Sequence, residues 1–211
     1  MQTVRASDAV TSNLRRKILT MELPPGAVVT EANLVDLLQC SRTPLREALQ
    51  RLAHEHLVVA VPRRGVSIAD LSVVDFRSLA EAGEGIEMAL VRLYAGRITD
   101  EEIDALDELV NRSEEAEAAG DLAQVVDFDF EIHHALGTAS GNRFLTEFHG
   151  IVLRLLARYV YLGFQRAGTA AGANSDHRRI VNALRDRDFA EAEAAVRDHQ
   201  HKGRDRMRAA L

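Results

Sequence analysis

Two groups of residues in this 211-residue chain are of types and spacings that can do chemistry. The first is Asp129 and His133, four apart, with His177 and His199 farther along. On a helix, positions i and i+4 project from one face. A carboxylate and three imidazoles from three helices can close around a divalent transition metal such as Zn²⁺, Ni²⁺ or Mn²⁺. Taken alone, the spacing favours a plainer reading, solvated histidines and an ion pair along one helix face. The second group is Ser41-Arg42-Thr43-Pro44-Leu45-Arg46. Arg42 and Arg46 share a helix face, and the hydroxyls of Ser41 and Thr43 lie at a helix N-terminus, which suits phosphate oxygens. Arginine is shaped to take guanine O6 and N7 together in a major groove. The alternative is two solvated arginines, paired with Glu47 or with nothing. Arg63 and Arg64 precede Gly65 in a turn. They either reach a minor groove or phosphates or form a polar turn in which Gly65 supplies a positive φ.

These groups need elements to hold them. Val10, Leu14, Ile18 and Met21 recur at helical spacing over 7–21, and Pro24-Pro25-Gly26 ends that helix. Thr30 caps a second helix carrying Leu34, Leu37 and Leu38. After a break at Gln39-Cys40-Ser41, a third runs over 42–54 with Leu45, Ala48, Leu49 and Leu52 on its buried face. Pro44 sits in its first turn, where a missing N–H costs little. Two short β-rich runs, 57–61 and 66–69, flank a turn at Pro62-Arg63-Arg64-Gly65. From Val73 onward only helical periods appear: 73–96, 100–119, 121–139, 143–166, 175–187 and 188–209. The expected fold is mostly α: a winged helix-turn-helix over 1–69, a linker at 70–72, and an all-α antiparallel helical bundle over 73–211.

Bulk properties narrow the class. Residues 1–72 carry 9 Lys and Arg against 7 Asp and Glu, and residues 73–211 carry 17 against 25. A mildly basic first domain is compatible with DNA if the charges share a face. No apolar stretch reaches membrane-spanning length. Met1 to Asp8 lacks the pattern of a signal peptide, and the single cysteine, Cys40, excludes an internal disulfide. The expected location is cytoplasmic.

The run from Pro24 to Ser72, centred on Ser41-Arg42-Thr43-Pro44-Leu45-Arg46-Glu47-Ala48-Leu49, closely resembles the DNA-binding domain of the GntR superfamily of bacterial regulators, over about residues 10–72. The resemblance implies double-stranded DNA contacts from Ser41, Arg42, Thr43, Pro44 and Arg46 on a recognition helix, and from Arg63, Arg64 and Gly65 on a wing. Two departures stand out: Gln39 holds a turn position where relatives have glycine, and Ala32 a site where some have arginine. Cys40 is read as a small buried hydrophobe.

Residues 73–209 resemble the FCD ligand-binding domain of the FadR subfamily, through 129–136, Ala139-Ser140-Gly141-Asn142, 176–180 and 195–199. That likeness implies a metal held by Asp129, His133, His177 and His199. It sets aside His134, His149 and His201. It also implies a small-molecule effector, a carboxylate, at the metal-supported pocket. Relatives often place an arginine four residues before a glutamate on the first helix of this domain; the glutamate here is Glu87 and the arginine position is Gly83. The expected protein is a homodimeric repressor reading an inverted-repeat operator. An alternative makes the metal itself the effector. An enzyme is not expected, because no separate carboxylate is placed as a general base.

Overall fold

The computed structural model describes residues 6–209; the reading of Met1 to Asp8 as no leader therefore lies partly outside the described residues. The chain divides into two compact units, 1–72 and 73–211.

In the first unit, α1 (Ala6–Leu19), α2 (Glu31–Leu38) and α3 (Arg42–His54) surround a small core. Leu14, Ile18, Leu34, Leu45 and Leu52 are fully buried there. These are the positions that helical spacing selects from the sequence. Helix α2 starts at Thr30, whose hydroxyl accepts from the Asn33 N–H at 3.2 Å. It ends at Gln39, which adopts the left-handed conformation, φ 49 and ψ 46. Glycine would take this conformation without strain, whereas a side chain costs about 1–2 kcal/mol. The Gln39 amide offsets part of that cost by donating to the Asp36 carbonyl at 2.6 Å. Arg15 grips Glu55 with two hydrogen bonds, 3.0 and 2.7 Å, tying α1 to the residue that follows α3.

The sheet differs from the expected two-stranded hairpin. Strands β2 (Val58–Val61) and β3 (Gly65–Ile68) pair antiparallel, and β1 (Val28–Val29) joins the other edge of β3. A two-residue strand has no alternation to read, so its sequence carries no strand signal. The hairpin loop also differs in detail. Arg63 takes the left-handed conformation, φ 62. Gly65, φ 109, lies on the strand itself, where a Cβ would come within 2.2 Å of the Val29 carbonyl oxygen. Gly65 is thus required by the close approach of β1. Cys40 is half-buried rather than a core residue, and Leu37 is largely exposed.

The second unit consists of α4 (Val73–Tyr94), α5 (Asp100–Ala119), α6 (Leu122–Ala139), α7 (Arg143–Ala167), α8 (Ser175–Arg185) and α9 (Phe189–Ala209). Short capped turns set their order. Thr99 and Glu102 form a reciprocal capping box, Gly120 closes α5 in the left-handed conformation, and Asp121 and Asn142 cap α6 and α7. The core joins Leu90 and Tyr94 of α4, Leu106 and Val110 of α5, Ile132 and Leu136 of α6, Ile180 and Leu184 of α8, and Val196 of α9. Helices α4, α6, α8 and α9 therefore converge, which brings their inward polar residues together.

Candidate metal centre and candidate nucleic-acid interface

In the second unit the fold gathers the four residues singled out from the sequence. Asp129 and His133 lie one turn apart on α6, His177 in the first turn of α8, and His199 midway along α9. One donor atom from each falls within 4.8 Å of all the others. His133 Nε2 is 3.0 Å from His199 Nε2 and 3.3 Å from His177 Nε2. Asp129 Oδ1 is 3.5 Å from His177 Nε2 and 3.8 Å from His133 Nε2.

A divalent cation fits these donors on two counts. Neighbouring donors on a shell of radius about 2.1 Å are roughly 3.0–3.4 Å apart, close to the spacing here. The supporting bonds also turn lone pairs the right way. His133 Nδ1 is hydrogen-bonded to Glu87 Oε1 of α4, which directs Nε2 inward. His177 Nδ1 faces Asn174 Oδ1 at 3.4 Å, and the Asn174 amide donates to Glu117 of α5 at 2.7 Å. Gln200 of α9 donates to the second oxygen of Glu87.

The electrostatics follow from burial and from Glu87. Burial pushes His133 toward neutrality, but the charge and hydrogen bond of Glu87, with Asp129 adding, carry it up to about 9. His177 and His199 are pushed well below the usual histidine value by burial and by positive charge on the other histidines. Burial raises the Asp129 carboxyl, against the pull of His133. A second proton on His133 would occupy Nε2, the atom that a cation would take. A cation and that proton exclude one another.

Sequence reasoning set His149 aside, yet it belongs to this neighbourhood. It is 1% exposed, on α7, and its ring meets His133 edge-on at 6.3 Å. Neither of its ring nitrogens has a hydrogen-bond partner among the described residues. Burial lowers it to about 4. Its spacing from the other histidines matches no ligand pattern, so only the packing of α7 on α6 reveals it. His134 projects to the surface and stacks on Phe130 at 5.6 Å, and His201 pairs with Glu84 at 3.5 Å.

A cavity of about 60 Å³ adjoins the cluster, with Asp129, His133, His199 and Arg206 on one side and Leu156 and Phe164 among its apolar lining. Gly83 does not open onto free space. A Cβ there would make ordinary contact with Leu156 at 3.4 Å and Val152 at 3.5 Å, both on α7.

In the first unit, Ser41 caps α3 through its backbone alone; its side chain makes no capping hydrogen bond. Ser41, Arg42, Thr43 and Arg46 are exposed, and Pro44 is half-buried in the first turn. The apolar face beneath them, Leu45, Ala48 and Leu49, is buried. Arg46 pairs with Glu31 at the start of α2, Nε to Oε2 3.0 Å, and not with Glu47. Arg63 and Arg64 are exposed at the hairpin tip, and Gly65 is half-buried behind them.

Comparison with known proteins places both units in known families. The pattern described as "Bacterial regulatory proteins, gntR family" matches residues 6–68, and the FCD domain matches residues 78–202. The chain is 32% identical over 187 residues to the Nta operon transcriptional regulator of Aminobacter aminovorans, covering 87% of this chain and 85% of that protein. It is 25% identical to the HTH-type transcriptional repressor RspR of Escherichia coli, covering 88% and 82%. The solved structure of E. coli McbR/YncC superposes with a TM-score of 0.82 over 95% of both chains, at 20% identity, and so shares the fold.

Proposed function

The chain belongs to the GntR family of bacterial regulatory proteins and carries an FCD domain, which makes it a transcriptional regulator rather than an enzyme; from that premise we propose a repressor whose grip on DNA is set by a small organic acid at a metal-supported pocket. The observation that carries the sensing half is the Asp129–His133–His177–His199 cluster with Glu87 behind His133. A surface scatter of histidines would not bury such a carboxylate–imidazole bond, since an unpaired buried charge costs several kcal/mol. Asp129, His133, His177 and His199 would hold the ion, with Zn²⁺, Ni²⁺ and Mn²⁺ all suited to mixed imidazole and carboxylate donors. Bound there, the metal supplies positive charge and open coordination positions that suit a carboxylate. Glu87 fixes the ring of His133, and Asn174 fixes that of His177.

DNA binding is assigned to the N-terminal end of α3 and the hairpin tip. Ser41 and Thr43 offer hydroxyls and helix N–H groups to phosphate. Arg42 and Arg46 face base edges, Pro44 starts the helix, and Arg63 and Arg64 reach the backbone or minor groove beside Gly65. A homodimer presenting two such helices reads an inverted repeat. Phe144 and Phe148, one turn apart on α7 and each 56% exposed, support association of the second unit with another copy. The name of RspR supports the repressor reading. An effector shifts operator affinity only as far as it prefers one state over the other.

The test is metal content of protein prepared without chelator or nickel resin, for the native chain and His133→Ala, together with affinity for an operator selected from random duplexes. About one transition metal per chain, lost in the variant, is the expected result; equal metal content in both overturns the site. A second reading, with the ion itself as effector, is favoured by the small size of the cavity, about 60 Å³. It is distinguished by operator affinity that follows free metal with no organic acid present.

A further inference from the structure

Resting on the reading of the cavity as the effector site, we propose that Arg206 is its anion anchor and that the ligand class is short monocarboxylates with an apolar tail. A carboxylate approaching the cluster also approaches Asp129, whose charge offsets part of the metal's, so a second cation from the protein would strengthen its hold. The first helix of the unit provides none: Gly83 has no side chain, and the space beside it is filled by Leu156 and Val152. The cation comes from the opposite side. Arg206 of α9 lines the same cavity as Asp129, His133 and His199.

Arg206 is also placed to bind rather than to brace the fold. Several arginines of this unit are engaged by carboxylates, as Arg178 is by Asp107 and Glu114, and Arg185 by Asp104. Among the described residues, Arg206 enters no ion pair within 4 Å. Its guanidinium lies over the Phe164 ring, 5.3 Å from the centroid. Stacking fixes the plane of a guanidinium while leaving its N–H edge for a planar anion, which a carboxylate matches with two parallel hydrogen bonds.

The rest of the cavity sets the tail. Leu153, Leu156, Val160 and Met207 present only apolar or thioether surface. These give a second hydroxyl or carboxylate no partner, and the amide N–H of Gln200, which also lines the cavity, is taken by Glu87; a buried polar group without a partner is disfavoured. The cavity is small, about 60 Å³, which favours a short tail over a long one.

The experiment is calorimetric titration of the full-length, metal-loaded chain with acetate, propionate, butyrate and propionamide, for the native protein, Arg206→Met and Arg206→Lys, with metal content measured on each sample. Met keeps the apolar stem over Phe164 and removes the charge. The expected result is binding of a short carboxylate but not of propionamide. Arg206→Met should bind about 10- to 100-fold more weakly at unchanged metal content, with Arg206→Lys between the two. Equal affinity in Arg206→Met overturns the proposal, as does equal binding of propionamide, or a native chain that holds metal and takes up none of the carboxylates. A native chain that holds no metal, yet binds propionate only when Arg206 is present, supports the anchor while removing the metal from the proposed function.

Discussion

The carboxylate of Glu87 on α4 receives Nδ1 of His133 on α6, a bond between residues 46 apart in the chain and both almost wholly buried. It joins the part of the unit that builds the core to the part that does the sensing. Glu87 is followed two turns later by Tyr94, one of the largest side chains in the core. His133 is followed by Leu136, in the same hydrophobic cluster. The orientation of the imidazole is thus fixed by the packing of α4 on α6.

Removing the Glu87 charge while keeping its shape tests this relationship. Glu87→Gln should retain the fold and lower metal affinity about 10- to 100-fold, the usual effect of losing a partner that orients a ligating histidine. Competition against a chromophoric chelator measures it. Native affinity in this variant would mean that Glu87 braces the core and has no bearing on the metal.

The helices of both units were legible in the sequence because each buries one periodic face and ends on its own punctuation, such as Gly120, Asp121, Asn142 and Gly168. The spacing of the four proposed ligands alone favoured solvated histidines; the resemblance to the FCD domain picked them out, and the fold places them together. What sequence reasoning missed consists of contacts between distant elements. His149 matters only because α7 packs on α6. The partner of Arg46 is Glu31, 15 residues earlier on another helix, where sequence proximity pointed to Glu47. The glycine of the wing was read as a turn residue, but its place is decided by a strand of two residues that carries no periodic signal.

The Arg46–Glu31 pair has consequences for DNA binding. Both side chains are well exposed, 64% and 38%, so the pair stabilises the fold little. Glu31 instead keeps a negative charge close to where phosphates would lie and competes for the guanidinium. Arg46→Ala should weaken binding to a selected operator by about 1–3 kcal/mol while leaving unfolding unchanged. Glu31→Gln should strengthen binding to non-specific duplex and steepen its dependence on salt. Fluorescence anisotropy at several salt concentrations reads both. An Arg46→Ala variant with native operator affinity would take α3 out of the DNA interface.

Gly65→Ala separates the architecture of the wing from its charge. The added methyl would overlap the Val29 carbonyl, and φ 109 is itself strained for alanine. Strain of this kind costs about 1–3 kcal/mol before the overlap is counted, so β1 should detach from β3 and the first unit should unfold at lower denaturant. Arg63→Ala with Arg64→Ala should instead leave stability within about 0.5 kcal/mol and weaken DNA binding. Urea unfolding followed by circular dichroism, with anisotropy on the same samples, compares them. An alanine at position 65 that leaves stability intact would show that β1 yields without cost.

Acid should destabilise the metal-free second unit. His149 is lowered to about 4, and His177 and His199 lie well below their usual value. In each case burial is the main cause. In the unfolded chain all three protonate near 6.5. Below that pH the unfolded state therefore binds more protons than the folded one, and stability falls as pH falls, by up to about 1.4 kcal/mol per pH unit for each group. His133 behaves oppositely: held near 9, its contribution is complete below 6.5 and is lost only as pH rises through 9. Asp129, raised by burial, opposes the fall only toward the carboxylate range. Between pH 6.5 and 5 the three lowered histidines dominate. All three tyrosines, Tyr94, Tyr159 and Tyr161, lie in this unit, and the chain has no tryptophan, so tyrosine emission follows its unfolding alone. In chelator, the midpoint should drop steadily from pH 7 to pH 5, and His149→Leu should make that slope shallower. A midpoint that stays level or rises toward pH 5 would mean that His149, His177 and His199 are protonated in the folded protein and are not held neutral by burial.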